Sequence, residues 1–332
     1  MPLIAAATAT IGTPTLWAVT IGLVLVLLAV DFLLTRRPHE VSLREALAWS
    51  AFYVALPLAF GGWVWWQHGT DRGVEYLTGY LVEKSLSVDN LFVFMLLLGA
   101  FAVPPALRQR VLLYGIIGAL VLRGLFIALG AAALAAFDWV FLVFGLVLLV
   151  TGVKILRDTL SGHGQEVDIS RMRVVRAARR LFPVTEEYDG PRLTVRRAGA
   201  RALTPFALVV LAVLATDIVF AIDSVPAVYG ITGDPYLVFA TNAFALLGLR
   251  ALYFVLESAL SRLVHLGYGL AAILGFIGAK LALHWGHLQW TAVPEIPTLA
   301  SLGVVVGILA VTVTTSLVAT RQERDEEPEM VT

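Results

Sequence analysis

The sequence predicts an all-α, polytopic membrane protein with about nine transmembrane helices. Of the 332 residues, 59% are hydrophobic and 14% are charged, whereas a soluble domain carries about 25% charged residues. Long apolar runs recur along the chain, and the Lys and Arg residues collect in alternate connections between them. Both features are typical of a protein whose helices cross a lipid bilayer.

The overall charge and the lack of cysteine exclude several classes of function. The chain has 24 basic and 24 acidic residues, so it does not bind nucleic acid through bulk positive charge. It contains no cysteine, which excludes disulfides, thiolate nucleophiles and cysteine-ligated metal clusters. No nucleophile–base constellation or phosphate-binding loop is recognisable, and we expect neither an enzyme nor a prosthetic group.

Each predicted helix is an apolar run of about 20 residues, enough to cross about 30 Å of hydrocarbon. The first run has no basic segment or small-residue cleavage site before it, which indicates a retained helix rather than a signal peptide. The nine predicted spans are 15–34, 46–66, 76–101, 111–135, 139–156, 203–230, 236–257, 266–285 and 298–319.

The basic residues predict the orientation of these helices. Arginines follow the first, third, seventh and ninth spans, and the segment from Lys154 to Arg201 holds 11 of the 24 Lys and Arg residues. The alternate connections carry only Arg72. Because basic residues accumulate on the cytoplasmic side, we expect the N-terminus outside and the C-terminus in the cytoplasm.

The segment between the fifth and sixth spans is the one sizeable soluble part that we expect. Leu193–Val195 is predicted to pair with Ala200–Leu203 as a hairpin. The arginines of this segment are interpreted as a topology anchor at an anionic leaflet, with a regulatory role as the alternative. The chain then divides into 1–75 (two helices), 76–157 (a first three-helix unit), 158–202 (the basic segment), 203–285 (a second three-helix unit), 286–320 (a last helix) and 321–332 (a short tail expected to be disordered).

The two three-helix units resemble each other. Residues 83–90 read EKSLSVDN and residues 217–224 read DIVFAIDS, so in each an acid precedes an Asp by six positions. Arg123 and Arg250 follow in similar apolar runs, and a Gly-X-Lys sequence then ends in Lys154 or Lys280. Copies that lie three helices apart cross the membrane in opposite senses. The sequence therefore predicts a 3+3 inverted-topology repeat, as in many secondary transporters.

The predicted helices of these units carry ionisable residues where each costs about 2.5–3.5 kcal/mol on insertion scales. Four are acids and four are bases, so most can pair. We interpret the bases as structural partners of the acids, or as gates that compete for them. The acids are Glu83, Asp89, Asp217 and Asp223, and the bases are Lys84, Arg123, Arg250 and Lys280.

The pattern of oxygen-bearing side chains favours a cation. Asn90, Ser224 and Asn242 add neutral oxygens near the acids. Pro226 is expected to break its helix just after the second acid pair, which would free carbonyls to line a cavity. Oxygen-rich sites suit Mg²⁺, Ca²⁺ and Mn²⁺, and these motifs contain no histidine.

Four segments resemble signatures of the TerC family of membrane proteins, which includes the Alx proteins. They are residues 83–94 (EKSLSVDNLFVF), 182–188 (FPVTEEY), 216–227 (TDIVFAIDSVPA) and 240–254 (ATNAFALLGLRALYF). The resemblance implies a multi-pass protein of the bacterial cytoplasmic membrane, related to the LysE superfamily of exporters. Family members are linked to manganese export and to tellurium resistance.

The sequence and the resemblance together lead to one hypothesis and two alternatives. The hypothesis is export of Mn²⁺ by alternating access, with protons as a conceivable counter-ion. Asp89 and Asp223 would be direct ligands, and Glu83 and Asp217 further ligands or proton carriers; Asn90, Ser224 and Asn242 would complete the shell. The alternatives are a membrane-protein assembly factor that docks through the basic segment, and a protein that handles a tellurium oxyanion through its arginines. The oligomeric state stays open.

Overall fold

The computed structural model describes residues 10–34, 43–161, 172–197, 200–257, 265–290 and 292–326. Within these residues the chain forms eleven helices and one two-stranded hairpin. In chain order they are α1 Pro14–Leu34, α2 Leu43–His68, α3 Thr70–Ala100, α4 Pro105–Ala136, α5 Trp139–Leu160, α6 Arg173–Leu181, β1 Thr194–Arg197, β2 Ala200–Leu203, α7 Pro205–Tyr229, α8 Pro235–Leu247, α9 Leu249–Glu257, α10 Leu266–Gln289 and α11 Thr298–Glu326.

The described helices include seven that are long and apolar enough to cross a membrane: α1, α2, α4, α5, α7, α10 and α11. A bent pair, α8 and α9, makes an eighth if it counts as one span. The predicted span 76–101 corresponds to α3, which fails this test although it has 31 residues. Its middle carries Glu83, Lys84 and Asp89, which are too many charges for an ordinary lipid-facing helix.

Apolar side chains cover the outside of the bundle. On α5, Leu146, Val150 and Val153 lie three or four residues apart and are each at least half exposed. On α4, Val121, Leu125 and Leu129 form a similar stripe. An exposed apolar surface on successive helices is unfavourable in water and favourable against lipid tails. The prediction of a polytopic membrane protein is therefore confirmed.

Several helix starts follow from local chemistry. Proline opens α4, α7 and α8, where its missing N–H is not needed. The Thr204 hydroxyl caps α7 by accepting from the Ala207 N–H at 3.2 Å. The Asp234 carboxylate caps α8 by accepting from the Tyr236 N–H at 2.9 Å. These contacts satisfy backbone donors that the first turn of a helix leaves unpaired.

The predicted hairpin is present between α6 and α7. Thr194 of β1 pairs with Leu203 of β2, and the strands are antiparallel. Tyr188 lies before the hairpin and donates a hydrogen bond to the Phe101 carbonyl, 2.8 Å away, at the end of α3. Burial raises the pKa of Tyr188 to about 12, so its hydroxyl keeps the proton that it donates at physiological pH. We call this end of the bundle the hairpin end.

Two details of the sequence prediction are wrong. Pro226 does not break its helix: α7 continues to Tyr229, and the proline removes only the one hydrogen bond that an N–H at this position would donate to the Ile222 carbonyl. The break lies instead at Gly248, where α8 and α9 meet at 41°. The predicted disordered tail also begins too early, since α11 continues to Glu326. The last residues, 327–332, lie outside the described residues.

Glycines bring α5 and α10 into close antiparallel contact. A Cβ atom on Gly145 would lie 2.8 Å from the Gly278 carbonyl oxygen, and one on Gly278 would lie 2.8 Å from the Gly145 oxygen. Further along, a Cβ on Gly152 would lie 3.1 Å from the Ala271 oxygen. Because residue numbers rise on α5 as they fall on α10, the two helices run in opposite directions. Close approach through small residues is a common way to hold helices together in lipid.

We expect Gly278→Ala to destabilise the protein by about 1–3 kcal/mol, because the added methyl group overpacks a filled interface. The measurement is thermal unfolding of purified protein in detergent. Gly275→Ala is the matched control, since a Cβ there meets no atom within 4 Å. Equal unfolding temperatures for the two variants would contradict the close contact.

Candidate functional site

A cluster of buried charges lies in the middle of the bundle around Arg123 of α4. Its Nη1 atom donates to Glu83 of α3 and, at 2.9 Å, to the side-chain oxygen of Asn242 of α8. Its Nη2 atom lies 3.4 Å from Oδ1 of Asp217 of α7. These four side chains are at most 1% exposed. Four helices therefore meet at one guanidinium group.

Asn90 joins this cluster from α3. Its amide fits best with the nitrogen donating to the Leu86 carbonyl at 3.1 Å and the oxygen accepting from Arg123 Nη2 at 3.0 Å. Glu83 and Asn90 are seven residues apart, so they lie on one face of α3. Both side chains therefore contact the same guanidinium group.

Several buried oxygens on α3 and α7 have no hydrogen-bond partner among the described residues. They are Glu83 Oε2, Asp217 Oδ2, Ser87 Oγ and Ser224 Oγ. Ser87 follows Glu83 by one helical turn, and Ser224 follows Asp217 by two, so each hydroxyl shares a face with an acid. Buried polar atoms normally have hydrogen-bond partners, so these oxygens are available to a further ligand.

The cluster lies near the middle of α3 and α7. Glu83 is 13 residues from the start of α3 and Asp217 is 12 residues from the start of α7. At about 1.5 Å per residue, both lie about 18–20 Å from their helix starts. Both acids are therefore far from the ends of their helices.

Helices α3 and α7 run antiparallel through this region. Near one end, a Cβ on Gly79 would lie 3.3 Å from Val228 Cγ1. Further along α3 and earlier in α7, the rings of Phe94 and Phe220 lie 6.2 Å apart. Because α7 begins next to the hairpin, Phe94 lies toward the hairpin end and Gly79 lies away from it.

Asp217 lies nearer to the hairpin end than Glu83 does. On α7, Asp217 precedes Phe220 and lies on its hairpin side, whereas on α3 Glu83 lies eleven residues before Phe94, toward Gly79. Asp223 follows Asp217 by six residues, about 9 Å farther from the hairpin end. Since Nη1 of Arg123 contacts Glu83 and Nη2 approaches Asp217, its guanidinium lies between these two acids.

The structure brings together five of the predicted site residues: Glu83, Asn90, Arg123, Asp217 and Asn242. Asp223 is half-buried and Ser224 is buried, both farther along α7. The side chain of Asp89 lies outside the described part of the chain. Among the described side chains, no three from His, Cys, Asp and Glu form a group of the kind that holds a metal. Arg123 instead occupies the space between the two central carboxylates.

Arg250, the counterpart of Arg123 in the second unit, lies outside this cluster. Its Nη2 atom is 2.7 Å from Oδ1 of Asp31 of α1, which also accepts from the Tyr53 hydroxyl of α2 at 3.0 Å. Asp31 is 1% exposed. The sequence argument missed Asp31, although a lone acid within an otherwise apolar membrane helix was a usable signal.

The two lysines also lie apart from the central acids. Lys84 donates to the Ala245 carbonyl at 3.4 Å, and its Nζ is 3.0 Å from the position of a Cβ on Gly248. An ammonium group thus lies beside the backbone break between α8 and α9. Lys280 interacts electrostatically with Glu295 and Glu75. Glu75 also accepts from Thr232 at 2.8 Å, near the end of the bundle opposite the hairpin.

Comparison with known proteins decides the family. Residues 68–324 match the family described as "Integral membrane protein TerC family". The chain belongs to the TerC family. The match covers α3 to α11 and so includes every helix of the central cluster. No solved structure matches the chain.

Several bacterial membrane proteins are similar to this TerC-family protein over most of its length. It is 40% identical over 312 residues to "Uncharacterized membrane protein STKORF319" of Myxococcus xanthus, covering 94% of each chain. It is 42% identical over 314 residues to "Putative membrane-bound redox modulator Alx" of Escherichia coli strain K12, covering 91% of this chain and 94% of that protein. It is also 43% identical over 315 residues to "Uncharacterized membrane protein MT2795" of Mycobacterium tuberculosis, covering 92% of this chain and 79% of that one.

Proposed function

We propose that this protein exports a hard divalent cation, with Mn²⁺ as its main substrate, across the bacterial cytoplasmic membrane. One observation carries the proposal: the carboxylates of Glu83 and Asp217 are fully buried at mid-bundle depth on two different helices and contact the same guanidinium. Charge at this depth is costly unless it serves an ion pathway. The choice of Mn²⁺ among hard cations comes from the family resemblance.

The chemistry of the oxygens supports a hard cation. Glu83 Oε2, Asp217 Oδ2 and the hydroxyls of Ser87 and Ser224 are buried oxygens without hydrogen-bond partners among the described residues. Carboxylate and hydroxyl oxygens suit Mn²⁺, Mg²⁺ and Ca²⁺ better than softer metals. Beyond these atoms we assign ligand roles to Asp89 and Asp223, whereas Asn90 and Asn242 already bind the Arg123 guanidinium.

The antiparallel packing of α5 and α10 is compatible with alternating access about an inverted repeat. These helices carry the corresponding Gly-X-Lys sequences of the two units, at 152–154 and 278–280. They meet through the Gly145–Gly278 and Gly152–Ala271 contacts and run in opposite directions. Two antiparallel units related in this way can rock about a central site and open it to either side in turn.

The positions of Asp217 and Glu83 suggest the route of export. The positive-inside rule assigns the hairpin end, with the arginines of α6, to the cytoplasm. The cation would then reach Asp217 first and leave past Glu83. We propose protons as the counter-ion, because a carboxylate that has released a cation can bind a proton instead.

Transport by purified protein in liposomes tests this function. We expect the wild-type protein to move Mn²⁺ across the bilayer faster than protein-free liposomes do, with Mg²⁺ and Ca²⁺ as competitors. A pH-sensitive dye inside the vesicles should report opposite proton movement. Asp138→Asn is the matched control for loss of an acid, because Asp138 is exposed between α4 and α5.

The other outcomes of this assay separate the alternatives. A folded protein that moves none of the three cations would overturn the proposal and favour an assembly factor. Transport of a tellurium oxyanion would require Arg123 to release its carboxylates, and such transport without cation flux would also overturn the proposal. The name of the Escherichia coli relative includes the words "redox modulator". This chain contains no cysteine, so a redox role here would not use a thiol.

A further inference from the structure

We infer that Arg123 is a movable internal cation that alternates with the transported metal at the central acids. This inference rests on the proposed function and adds how the site releases its cargo. Arg123 is 1% exposed and contacts Glu83, Asp217 and Asn242 at once. A metal that bound both carboxylates would need the space that the guanidinium occupies.

The demand for carboxylate oxygens supports exchange rather than joint binding. Two carboxylates and one guanidinium have a formal charge of −1, and a bound divalent cation changes this to +1 wherever Arg123 lies within the cluster. Joint binding would place the metal beside the guanidinium, where like charges repel each other, and would divide the carboxylate oxygens between them. Displacement of Arg123 separates the two cations and gives the metal both carboxylates, so it is the favourable state with metal bound.

The neutral amides provide a place for the displaced guanidinium. Asn242 Oδ1 accepts from Arg123 at 2.9 Å, and the Asn90 oxygen accepts at 3.0 Å in its favoured orientation. These two oxygens can continue to bind Arg123 after the carboxylates turn to the metal. A side-chain movement then exchanges one cation for the other and leaves the buried guanidinium with two hydrogen-bond acceptors.

The position of Arg123 between Asp217 and Glu83 suggests the effect of this exchange. A metal that passes from Asp217 to Glu83 must pass the guanidinium, which contacts both carboxylates. As Arg123 returns to the carboxylates, it competes with the metal and speeds its release. Arg250 cannot take this role, because Asp31 and Tyr53 hold it elsewhere.

Binding and flux measured on the same variants test the inference. In lipid nanodiscs, Arg123→Gln should bind Mn²⁺ at least about tenfold more tightly than the wild type, because loss of a competing cation removes a typical coupling free energy. In liposomes, its flux per folded molecule should fall at least about tenfold, because release becomes the slow step. A purely structural role for Arg123 would weaken binding and flux together.

Two further variants complete the test. The double variant Asp31→Asn with Arg250→Gln removes the other repeat-related arginine without leaving a charge unpaired, and its metal affinity should stay within about twofold of wild type. Arg123→Lys keeps the charge but lacks the planar fork that reaches several acceptors at once, so it should bind Mn²⁺ more tightly than wild type and transport it more slowly.

The outcomes are distinct from those that test the proposed function. If wild-type protein neither binds nor moves a divalent cation, the proposed function fails. If wild-type protein transports but a folded Arg123 variant binds Mn²⁺ no more tightly than it does, only the role of Arg123 fails. If neither Arg123 variant folds, the residue is a fixed structural element and the inference is likewise overturned.

Discussion

Glu83→Gln and Asp217→Asn should each reduce Mn²⁺ flux by at least about 100-fold, since loss of even an outer-shell partner of a metal commonly costs 10–100-fold. Each change removes one of the two buried carboxylates that contact Arg123. The cluster then has a formal charge of zero while Arg123 stays in place, so it no longer attracts a second cation. The measurement is initial Mn²⁺ uptake into liposomes per folded molecule.

The two acids should behave alike despite lying on different helices. We expect both variants to fold, because the amide keeps the shape of the side chain and Arg123 retains one carboxylate and Asn242. Asp138→Asn should keep the wild-type flux, since its side chain is exposed. Either central variant retaining more than half of the wild-type flux would remove that acid from the pathway.

Arg250→Gln should lower the free energy of unfolding by about 3–5 kcal/mol, because it leaves a buried carboxylate without its charged partner. Arg250 and Asp31 are at most 7% exposed, and their atoms are 2.7 Å apart. The pair joins α9 to α1, so its loss should also loosen the first helix. The measurement is the unfolding midpoint and the amount of folded protein in the membrane.

A double-mutant cycle separates this structural role from a role in transport. Asp31→Asn combined with Arg250→Gln should recover much of the lost stability, because both charges are removed and no buried charge is left without an opposite charge. Flux per folded molecule should match the wild type in both variants. A normal amount of folded Arg250→Gln protein with no flux would instead indicate that Arg250 takes part in transport.

Local patterns in the sequence were enough to predict most elements of the fold. Apolar length predicted the helices to within a few residues at most ends, because the cost of exposing backbone polar groups to lipid forces each apolar run into a helix. Strand residues flanking Ala198 and Gly199 predicted the hairpin between β1 and β2. The acids at mid-helix were recognised because charge there is costly and therefore rare.

Local patterns failed where packing between distant segments decides the outcome. Pro226 was expected to break α7, yet the break lies at Gly248, where a Cβ would lie 3.0 Å from the Cβ of Tyr53. A proline removes one backbone hydrogen bond, which packing around the helix can offset, whereas close approach of another helix requires a glycine. Neither effect is recognisable without knowing which helices are neighbours.

The clearest case is the pair of arginines that the internal repeat relates. Their surroundings in the sequence are alike, and nothing local distinguishes Arg123 from Arg250. Composition, periodicity and motifs established a polytopic TerC-like membrane protein with acids in its interior. The tertiary structure alone decided that Arg123 lies between Glu83 and Asp217, whereas Arg250 of α9 pairs with Asp31 of α1. The physical reason is that a buried charge is stabilised by whichever opposite charge lies within contact distance, and the packing of helices distant in sequence determines that distance.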